Sequence, residues 1–352
     1  MQFVEEIINR IQPLDNAAMQ SAQARQETLT KPQGSLGRLE ELSIQLAGMT
    51  ANPLPSVERK AVIVMAADHG VALEGVSAYP AEVTAQMVLN FLQGGAAINT
   101  LARQANARVV VVDMGVASEI DDPSGQLVRY KIGLGTANMA KGPAMTRVQA
   151  IEAIQSGIEI VEAEIARGVD IFGIGDMGIG NTTPSAAIAC ALMDQPPDKI
   201  TGRGTGVDDE GLRRKIAVIV RALDVTQPNA GDGLDVLAKV GGFEIGGLAG
   251  VILAAAANRK PVVVDGFIST AAAMIAASLV PAARDYMLAA HVSQERGHKL
   301  MLEWLGLNPL LDMNLRLGEG TGAALAFHLI EASTRILREM ATFDEAGVSD
   351  KE

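Results

Sequence analysis

The chain has 352 residues, which is long for one domain and short for three, so a large domain with a smaller one is expected. Its formal net charge of -12 argues against nucleic acid or an anionic membrane surface as the main partner, although a few local donors can still hold an anionic small molecule. The single cysteine, Cys190, excludes an internal disulfide and predicts a reducing, cytoplasmic location.

Short apolar runs predict the strands of a parallel sheet. Most of these runs are rich in β-branched residues, and their apolarity is continuous rather than alternating, which indicates burial on both faces of the sheet. In chain order, with the weakest candidate last, they are Ala61–Ala67, Val109–Met114, Val169–Ile174, Pro261–Val264 and Tyr286–Val292.

Helical patterns lie between these runs and predict an α/β fold, with a doubly wound parallel sheet flanked by helices. Residues 60–317 are assigned to this large domain. Residues 1–50 and 318–343 are predicted to be mainly helical, and residues 1–59 and 318–352 are predicted to form a small helical domain built from both termini. The predicted helices of the large domain are Pro80–Leu101, Arg147–Arg167, Pro184–Met193, Asp209–Leu223 and Ser269–Leu279.

The segment GIGDMGIGNTTPS, residues 173–185, has two interpretations. Its first six residues fit the G-x-G-x-x-G pattern of dinucleotide sites. A predicted strand precedes the pattern, and a predicted helix follows it, with Thr as the N-cap and Pro at the first helical position. That pattern also requires an acid at the end of the next strand, but Asp194 follows a helix. A glycine-rich turn before a helix N-terminus favours a single phosphate, with an ordinary strand–helix turn as the alternative.

A second segment, GRGTGVDDEGLRRK, concentrates basic residues in an acidic chain. It contains Arg203, Arg213, Arg214 and Lys215. Such a cluster either holds a phosphate or forms the solvated face of a helix, where charges four residues apart are common.

Five segments together resemble one family. They are KPQGSLGRLE (31–40), AADHGV (66–71), GIGDMGIGNTTP (173–184), LAKVGGFEIGGLAG (237–250) and RLGEGTGAAL (316–325). In this order, and over nearly the whole chain, they are similar to the nicotinate mononucleotide:5,6-dimethylbenzimidazole phosphoribosyltransferases, the CobT family.

The resemblance implies a reaction and an assembly. The reaction moves 5-phosphoribosyl from nicotinate mononucleotide to the lower-ligand base of a cobamide, giving an α-glycosidic nucleotide and nicotinate, and it needs no metal or redox cofactor. The family fold is a parallel sheet flanked by helices with a small helical domain. The assembly is a dimer whose active site borrows residues across the interface.

The resemblance also implies roles for individual residues. The catalytic carboxylate falls on Glu319, which without the family is equally well an N-cap or first-turn acid of the following helix. KPQGSLGRLE is interpreted as a structural turn, and His69 as a residue that fixes a loop by hydrogen bonding. The phosphate anchors fall on Gly178, Lys215 and Ser293, and the same turn would be lined by Asn181, Thr182 and Thr183.

The pocket for the incoming nucleophile departs from the family pattern. The family usually has Ser, Gln and Leu where this chain has Tyr79, Met87 and Met177, and commonly Glu in place of Asp176. A wall of one Tyr and two Met is flatter and more apolar, and it resembles the phenol-activating ArsA/ArsB branch, whose two related chains act together. We therefore expect activity on phenol or p-cresol in addition to dimethylbenzimidazole, with neutral packing changes as the alternative explanation.

Besides the enzyme itself, which would act as a homodimer or as a heterodimer with a related chain, two other functions stay open at this stage. In the first of these, the chain is a subunit that completes the active site of a related partner chain. The third candidate is an NAD-dependent oxidoreductase, which rests only on the G-x-G-x-x-G pattern.

Overall fold

The computed structural model describes residues 2–349 of the chain. Met1 and residues 350–352 fall at the two ends of the predicted small helical domain and lie outside the described residues. In the described range six strands form one fully parallel sheet, in the order β3-β2-β1-β4-β5-β6. The strands are β1 Lys60–Ala67, β2 Ala107–Gly115, β3 Val128–Arg129, β4 Ile171–Met177, β5 Val262–Val264 and β6 Met287–Ala289.

Helices make up most of the rest of the chain, and none within residues 2–349 is long and apolar enough to cross a membrane. Two 3₁₀ turns lie at Gly70–Glu74 and Pro281–Tyr286. The helices are α1 Gln2–Arg10, α2 Asn16–Thr28, α3 Arg38–Thr50, α4 Val83–Leu92, α5 Ala97–Gln104, α6 Arg147–Ala166, α7 Thr182–Met193, α8 Pro197–Ile200, α9 Asp209–Thr226, α10 Gly233–Val240, α11 Phe243–Ala257, α12 Phe267–Leu279, α13 His298–Leu305, α14 Thr321–Glu339 and α15 Phe343–Ala346.

The predicted fold class is confirmed, and each of the five predicted strands is present. β4 begins two residues later than predicted and continues to Met177, so Asp176 belongs to the strand rather than to the loop after it. The unpredicted strand β3 has only two residues at the edge of the sheet, too few to give a pattern in the sequence.

The prediction of one continuous helix over Pro80–Leu101 is wrong. α4 ends at Leu92, Gly94 takes a φ of +77°, and α5 starts at Ala97. The Asn99 side chain accepts a hydrogen bond from the Ala96 N–H at 3.1 Å, so it satisfies a donor that the interrupted helix leaves free. Two consecutive glycines break a pattern whose apolar spacing alone looks continuous.

The predicted start of α7 is also wrong. The helix begins at Thr182, Asn181 precedes it, and Pro184 is its third residue. A proline is tolerated anywhere in the first turn, because the N–H groups there have no partner within the helix. Asp194 follows this helix and not a strand, as the sequence predicted.

The chain changes direction across the sheet between β1 and β4. β2 and β3 are added on one side of β1, whereas β4, β5 and β6 are added on the other. In such sheets a crevice opens at this switch point, beyond the carboxyl ends of the strands. The fold therefore marks the ends of β1 and β4 as the place for a ligand.

The two faces of the sheet are covered by α11 and α14. Met65 of β1 lies against Gly247 of α11, whereas Val62 and Phe327 of α14 both lie against Gly173 of β4. Because Val62 and Met65 are three residues apart, they point to opposite faces of the strand. This double cover explains why all eight residues of β1 are buried.

Helix α11 is the most deeply buried helix described, with 14 of its 15 residues buried. It packs against α6 so closely that their backbones touch: a methyl group on Gly157 would overlap the carbonyl oxygen of Gly247, and one on Gly250 would overlap that of Ile154. The glycines of the segment GGFEIGGLAG are therefore required for packing. Burial on all sides also removes the periodic pattern that would reveal this helix in the sequence.

The terminal helices pack together around α14. Ala18 of α2, Ala47 of α3 and Leu337 of α14 belong to a small apolar cluster apart from the main core. α1 instead contributes Val4 and Ile7 to the main core. The division into a large and a small domain stays a prediction.

Replacing Gly250 by Ala tests the close packing of α6 and α11. The added methyl group meets backbone, which cannot rotate away, so we expect the free energy of unfolding to fall by about 1–3 kcal/mol or more. The matched control is Gly142→Ala, since a methyl group there meets nothing within 4 Å. Thermal midpoints of both variants, measured against the unsubstituted protein, provide the comparison. Equal midpoints for the two variants would contradict the proposed role of Gly250.

Candidate active site

A cavity of about 470 Å³ opens beyond the carboxyl ends of β4 and β5. It contains nine of the eleven residues that the sequence assigned to the site. These nine come from five separate stretches of the chain, so only the fold brings them together. They are Tyr79, Met87, Asp176, Met177, Gly178, Asn181, Thr182, Ser293 and Glu319.

The other two predicted residues lie behind the wall of this cavity. Thr183 is fully buried in the first turn of α7. Lys215 of α9 is also fully buried, and its Nζ donates a hydrogen bond to Thr182 Oγ1 at 2.6 Å. Lys215 thus reaches the cavity through the hydroxyl group of Thr182.

The N-terminus of α7 forms one side of the cavity. Asn181 and Thr182 line the cavity there, together with Gly178. Unpaired N–H groups and the positive end of the helix dipole favour an anion at such a position. Burial lowers the pKa of Lys215 to about 8, while the neighbouring Glu295 carboxylate opposes this shift. Lys215 therefore still carries a positive charge on most molecules at pH 7.

Of the other basic residues in the predicted cluster, none lines the cavity. Arg203 pairs with Asp209, and Arg214 pairs with Glu210 one turn away on α9 at 2.9 Å. Arg214 therefore fits the solvated-face interpretation on α9, whereas Arg203 lies exposed in the loop before this helix, and Lys215 turns inward.

Glu319 sits in an unusual stretch of backbone. Gly318, Glu319 and Gly320 have φ angles of +88°, +63° and +85°, so three consecutive residues are left-handed. This conformation is strained for Glu319 but not for the two glycines. A methyl group on Gly175 of β4 would overlap the Glu319 carbonyl group, so the loop rests directly on the strand.

Asp265, the residue after β5, holds this loop in place. Its Oδ2 accepts from the Gly320 N–H and its Oδ1 from the Ala323 N–H, each at 3.1 Å. Asp265 thereby caps the N-terminus of α14 and fixes the backbone that carries Glu319. Burial raises the pKa of Asp265, opposed by His291 and by the backbone N–H groups of α14.

The Glu319 carboxyl group is largely enclosed, with 6% of the residue exposed. Its only described hydrogen bond is from the Ile98 N–H to Oε2, at 3.4 Å. Burial raises the pKa of Glu319 above its ordinary value of 4.5; Asp265 adds to the shift, and the Ile98 N–H opposes it. A weakly bound carboxylate with a raised pKa suits a general base.

Asp176 lies at the end of β4, on the floor of the same cavity. Burial and the nearby Asp265 raise its pKa to about 8, while a 2.9 Å hydrogen bond from Asn181 Nδ2 opposes the shift. The Asp176 side chain is therefore mostly a neutral carboxylic acid at pH 7. The sequence assigned it to the nucleophile pocket but gave no indication of its protonation.

The predicted wall of the nucleophile pocket lines the cavity, with Tyr79, Met87 and Met177 all facing the same space. Tyr79 is 56% exposed at the rim, on a loop whose backbone is held by Thr205: the Ala78 N–H donates to Thr205 Oγ1 at 3.1 Å. The segment GRGTG therefore contributes to the cavity through Gly204 and Thr205.

Three further polar residues line the cavity that the sequence did not single out: His291, Glu295 and Arg316. Glu295 Oε1 accepts from the Gly204 N–H at 2.8 Å, so it orders the loop beside Lys215. Arg316 lies within the segment RLGEGTGAAL, which was available as an indication. His291 and Glu295 follow β6, whose three residues give too weak a pattern to direct attention there.

His69 does not reach the cavity. Its Nε2 lies 2.8 Å from Glu244 Oε1, and both side chains are buried. This contact joins the segment AADHGV to LAKVGGFEIGGLAG, which supports the loop-fixing interpretation. In KPQGSLGRLE, Lys31 pairs with Glu40 at 2.8 Å, and Glu40 also accepts from the Leu36 N–H, so within this chain the segment is a tightly built turn.

The glycines of the G-x-G-x-x-G pattern serve packing. Gly173 makes room for Phe327 and Ala323, Gly175 for the Glu319 loop, and Gly178 for the Ala67 carbonyl group. Each of the three glycines is thus accounted for by a close contact with another segment of the chain. Among residues 2–349 there is also no group of three or more His, Cys, Asp or Glu side chains placed to hold a metal ion.

The fold and the cavity define an α/β protein in which the N-terminus of a helix and buried carboxyl groups face one cavity beyond the carboxyl ends of parallel strands. A family model described as phosphoribosyltransferase matches residues 11–348, which gives the class of enzyme. The chain is 61% identical over 351 residues to nicotinate-nucleotide–dimethylbenzimidazole phosphoribosyltransferase of Roseiflexus sp. (strain RS-1), covering 100% of this chain and 99% of that protein. Its identity to the protein of the same name from Desulforudis audaxviator is 59%, covering 99% of both chains.

A solved structure agrees with these relatives. The crystal structure of CobT from Thermus thermophilus has a TM-score of 0.92 and 50% sequence identity, covering 95% of this chain and 100% of that one. The chain belongs to the CobT family, the nicotinate-nucleotide–dimethylbenzimidazole phosphoribosyltransferases.

The protonation of Asp176 predicts a dependence of stability on pH. The pKa of Asp176 is about 8 in the folded protein, against an ordinary value of 3.8. The stability that the neutral carboxyl group contributes is therefore complete below pH 3.8 and is lost as the pH rises towards 8. Asp176→Asn imitates the neutral form and removes this loss. We expect the thermal midpoint of the variant, relative to the unsubstituted protein, to rise between pH 5 and pH 8.

The control for this experiment is Asp224→Asn, because Asp224 is an exposed residue of α9. Its midpoint relative to the unsubstituted protein should stay constant over the same range. A constant difference for Asp176→Asn as well would show that Asp176 is ionised in the folded protein.

Proposed function

We propose that this chain transfers the 5-phosphoribosyl group of nicotinate mononucleotide to 5,6-dimethylbenzimidazole, giving the α-glycosidic nucleotide and nicotinate. The full-length relatives named for this reaction support the proposal, since two of them share 61% and 59% of their residues with this chain. The observation that carries it is the cavity itself, where an enclosed carboxylate and an anion-binding helix terminus face the same space.

The phosphate group is assigned to the N-terminus of α7. Gly178, Asn181 and Thr182 offer backbone and side-chain donors there, Ser293 adds a hydroxyl group, and Lys215 supplies positive charge from behind Thr182. Ser293 is positioned by its own backbone, because its N–H donates to His298 Nδ1 at 2.8 Å. Burial lowers the pKa of His298 to about 3, so this imidazole is neutral and accepts the bond.

The transfer exchanges one bond at C1 of the ribose for another. The nitrogen of the incoming base attacks C1 as the bond to the nicotinate nitrogen breaks, and that nitrogen leaves with the electron pair and becomes neutral. C1 gains oxocarbenium character on the way, as in glycoside hydrolysis. The proton of the nucleophile passes to the Glu319 carboxylate, and the protein's remaining task is to hold the three groups in line.

The incoming nucleophile is proposed to be phenol or p-cresol as well as dimethylbenzimidazole. Support comes from the wall of Tyr79, Met87 and Met177, which is apolar apart from one hydroxyl group. A phenol has a pKa of about 10, judged by the tyrosine side chain, so a carboxylate cannot generate phenolate in advance at neutral pH. Proton transfer to Glu319 must then accompany the attack on C1.

The active assembly is proposed to be a dimer, of two identical chains or of this chain with a related one. Two apolar side chains at the rim of the cavity support this, because Tyr79 is 56% exposed and Leu317 57% exposed. A chain that serves only to complete a partner's site is a weaker candidate, since Glu319, Lys215 and Ser293 are all present. The comparisons give no support to an NAD-dependent oxidoreductase, and the cytoplasmic location stays a prediction.

Glu319→Gln tests the proposed base. The amide cannot accept the proton, so we expect kcat to fall by about 10²- to 10⁴-fold with little change in the affinity for nicotinate mononucleotide. Steady-state kinetics with dimethylbenzimidazole and calorimetric binding of the mononucleotide measure the two effects. Glu303→Gln, at an exposed position of α13, is the control and should turn over normally.

The pH profile gives an independent measurement of the same role. Only the ionised form of Glu319 accepts a proton, so kcat/KM should fall as pH drops through its raised pKa, above the ordinary 4.5. This acid limb should be absent from the residual activity of Glu319→Gln. Unchanged turnover in the variant would exclude Glu319 as the base.

Substrate competition tests the phenolic nucleophiles. With nicotinate mononucleotide and either phenol or p-cresol, we expect an O-glycosidic product that is separable from the dimethylbenzimidazole product by chromatography and mass. The triple variant Tyr79→Ser, Met87→Gln, Met177→Leu should lose most phenolic product and keep the benzimidazole product. The assay is run with this chain alone and with a related partner chain. Product from dimethylbenzimidazole alone in both settings would rule out the phenolic activity.

A further inference from the structure

One buried pair of titratable side chains takes no part in the reaction proposed above. His69 follows β1, and Glu244 lies in the first turn of α11. The Glu244 carboxylate accepts from the His69 ring, with 2.8 Å between Oε1 and Nε2, and both side chains are buried. Apolar side chains of similar volume often fill such a space equally stably, so stability alone does not account for this pair.

The imidazole ring of His69 lies directly behind the cavity turn, residues 178–181, which follows β4. A methyl group on Gly178, which lines the cavity, would lie 3.2 Å from His69 Nε2 and 3.3 Å from its Cδ2. A second stretch of backbone meets the ring just before α11, where a methyl group on Gly242 would lie 2.5 Å from His69 Cε1 and 2.6 Å from Glu244 Oε2. The ring therefore packs against the backbone of two segments, one of which borders the cavity.

The pair is anchored at both of its ends. Next to His69, the Gly70 N–H donates to the Thr136 carbonyl group at 3.0 Å, which fixes the backbone that follows β1. Glu244 belongs to α11, of which 14 of 15 residues are buried. A ring on an anchored backbone, bonded to a side chain of a closely packed helix, has little room to turn away. His69 thus presents a fixed surface to the cavity turn.

The position of the cavity turn decides how well it can hold an anion. The Ile179 N–H donates to the buried Thr84 hydroxyl group at 3.1 Å, and His69 supports Gly178, so the turn is held at two successive residues. Under the proposed function, on which this inference rests, the turn offers its donors to the phosphate group. Hydrogen bonds weaken steeply when their angle departs from the favoured geometry. A displaced Gly178 would therefore weaken phosphate binding, whereas the loop of Glu319 is seated by other residues.

We propose that His69, held by Glu244, is a positioning residue that keeps Gly178 in place for binding the phosphate group of nicotinate mononucleotide. His69 does not touch the substrate in this assignment and takes no part in proton transfer. Its effect falls on the affinity for ligands that carry the phosphate group, and the step at C1 of the ribose proceeds without it.

His69→Ala tests this assignment, because it removes the ring and leaves space behind Gly178. We expect the KM for nicotinate mononucleotide to rise about 10-fold or more, the range of a charge-assisted hydrogen bond, while kcat changes less than about threefold. The inhibition constant of inorganic phosphate, measured as a competitor, should rise to a similar degree. That of nicotinate riboside, which lacks the phosphate group, should change less than about twofold.

Three further variants give the matched comparisons. His69→Ala leaves the buried Glu244 carboxylate without its partner, so the double variant His69→Ala, Glu244→Gln removes that charge and should show the same selective loss. Glu244→Gln alone keeps an acceptor oxygen for His69 and should retain most of the affinity for the mononucleotide. Lys60→Met breaks a different pair at the opposite end of β1, where Lys60 lies 2.6 Å from Glu331, and should lower the thermal midpoint without changing the three constants.

The outcomes separate this proposal from a purely structural role and from the function on which it rests. Equal weakening of the ligands with and without phosphate in the double variant would show that the pair maintains the cavity as a whole. Unchanged constants in that variant, or the same selective loss in Lys60→Met, would show that the pair does not act on the turn. Each of these results overturns the proposal. If the unsubstituted protein neither binds nor turns over nicotinate mononucleotide, the proposed function fails first.

Discussion

The structure of the site depends on the way Asp265 and Gly175 seat the loop of Glu319. The Asp265 carboxylate accepts two N–H groups at the start of α14, and Gly175 lets the Glu319 carbonyl group rest on β4. Three consecutive left-handed residues need such support, because the middle one is not a glycine. The strain is thus borne by contacts from two neighbouring strands, and a carboxylate ends up over the switch point of the sheet.

Burial has a second consequence, which is electrostatic. The carboxyl groups of Asp176, Asp265 and Glu319 lie near one another in a little-hydrated space, so the pKa of each is raised. Like charges that close together cannot all be ionised at low cost. One of them, Asp176, consequently holds a proton near neutral pH, which leaves Glu319 freer to ionise. Two cations on separate segments balance this negative charge. Lys215 lies behind Thr182 in the cavity wall, and Arg316 lines the cavity itself.

Much of this arrangement was predictable because local patterns report burial well. Continuous β-branched runs predicted the central strands, and the five family segments led to nine residues that share one cavity. The same patterns failed where an element shows no hydrophobic periodicity. α11 is buried on all sides, and β3 and β6 are too short to show a repeat. Likewise, apolar spacing ran across Gly94 and hid the break between α4 and α5.

The sequence by itself determined the fold class and the family, because these depend on residue types at fixed spacing, and the resemblance to that family then implied Glu319 as the candidate base. Only the tertiary structure decided which glycines serve packing, why Lys215 acts through Thr182, and which unassigned residues, His291, Glu295 and Arg316, share the cavity. The physical reason is that burial, charge coupling and backbone contact depend on distances between segments far apart in the chain. Such distances exist only after the strands have taken their order in the sheet.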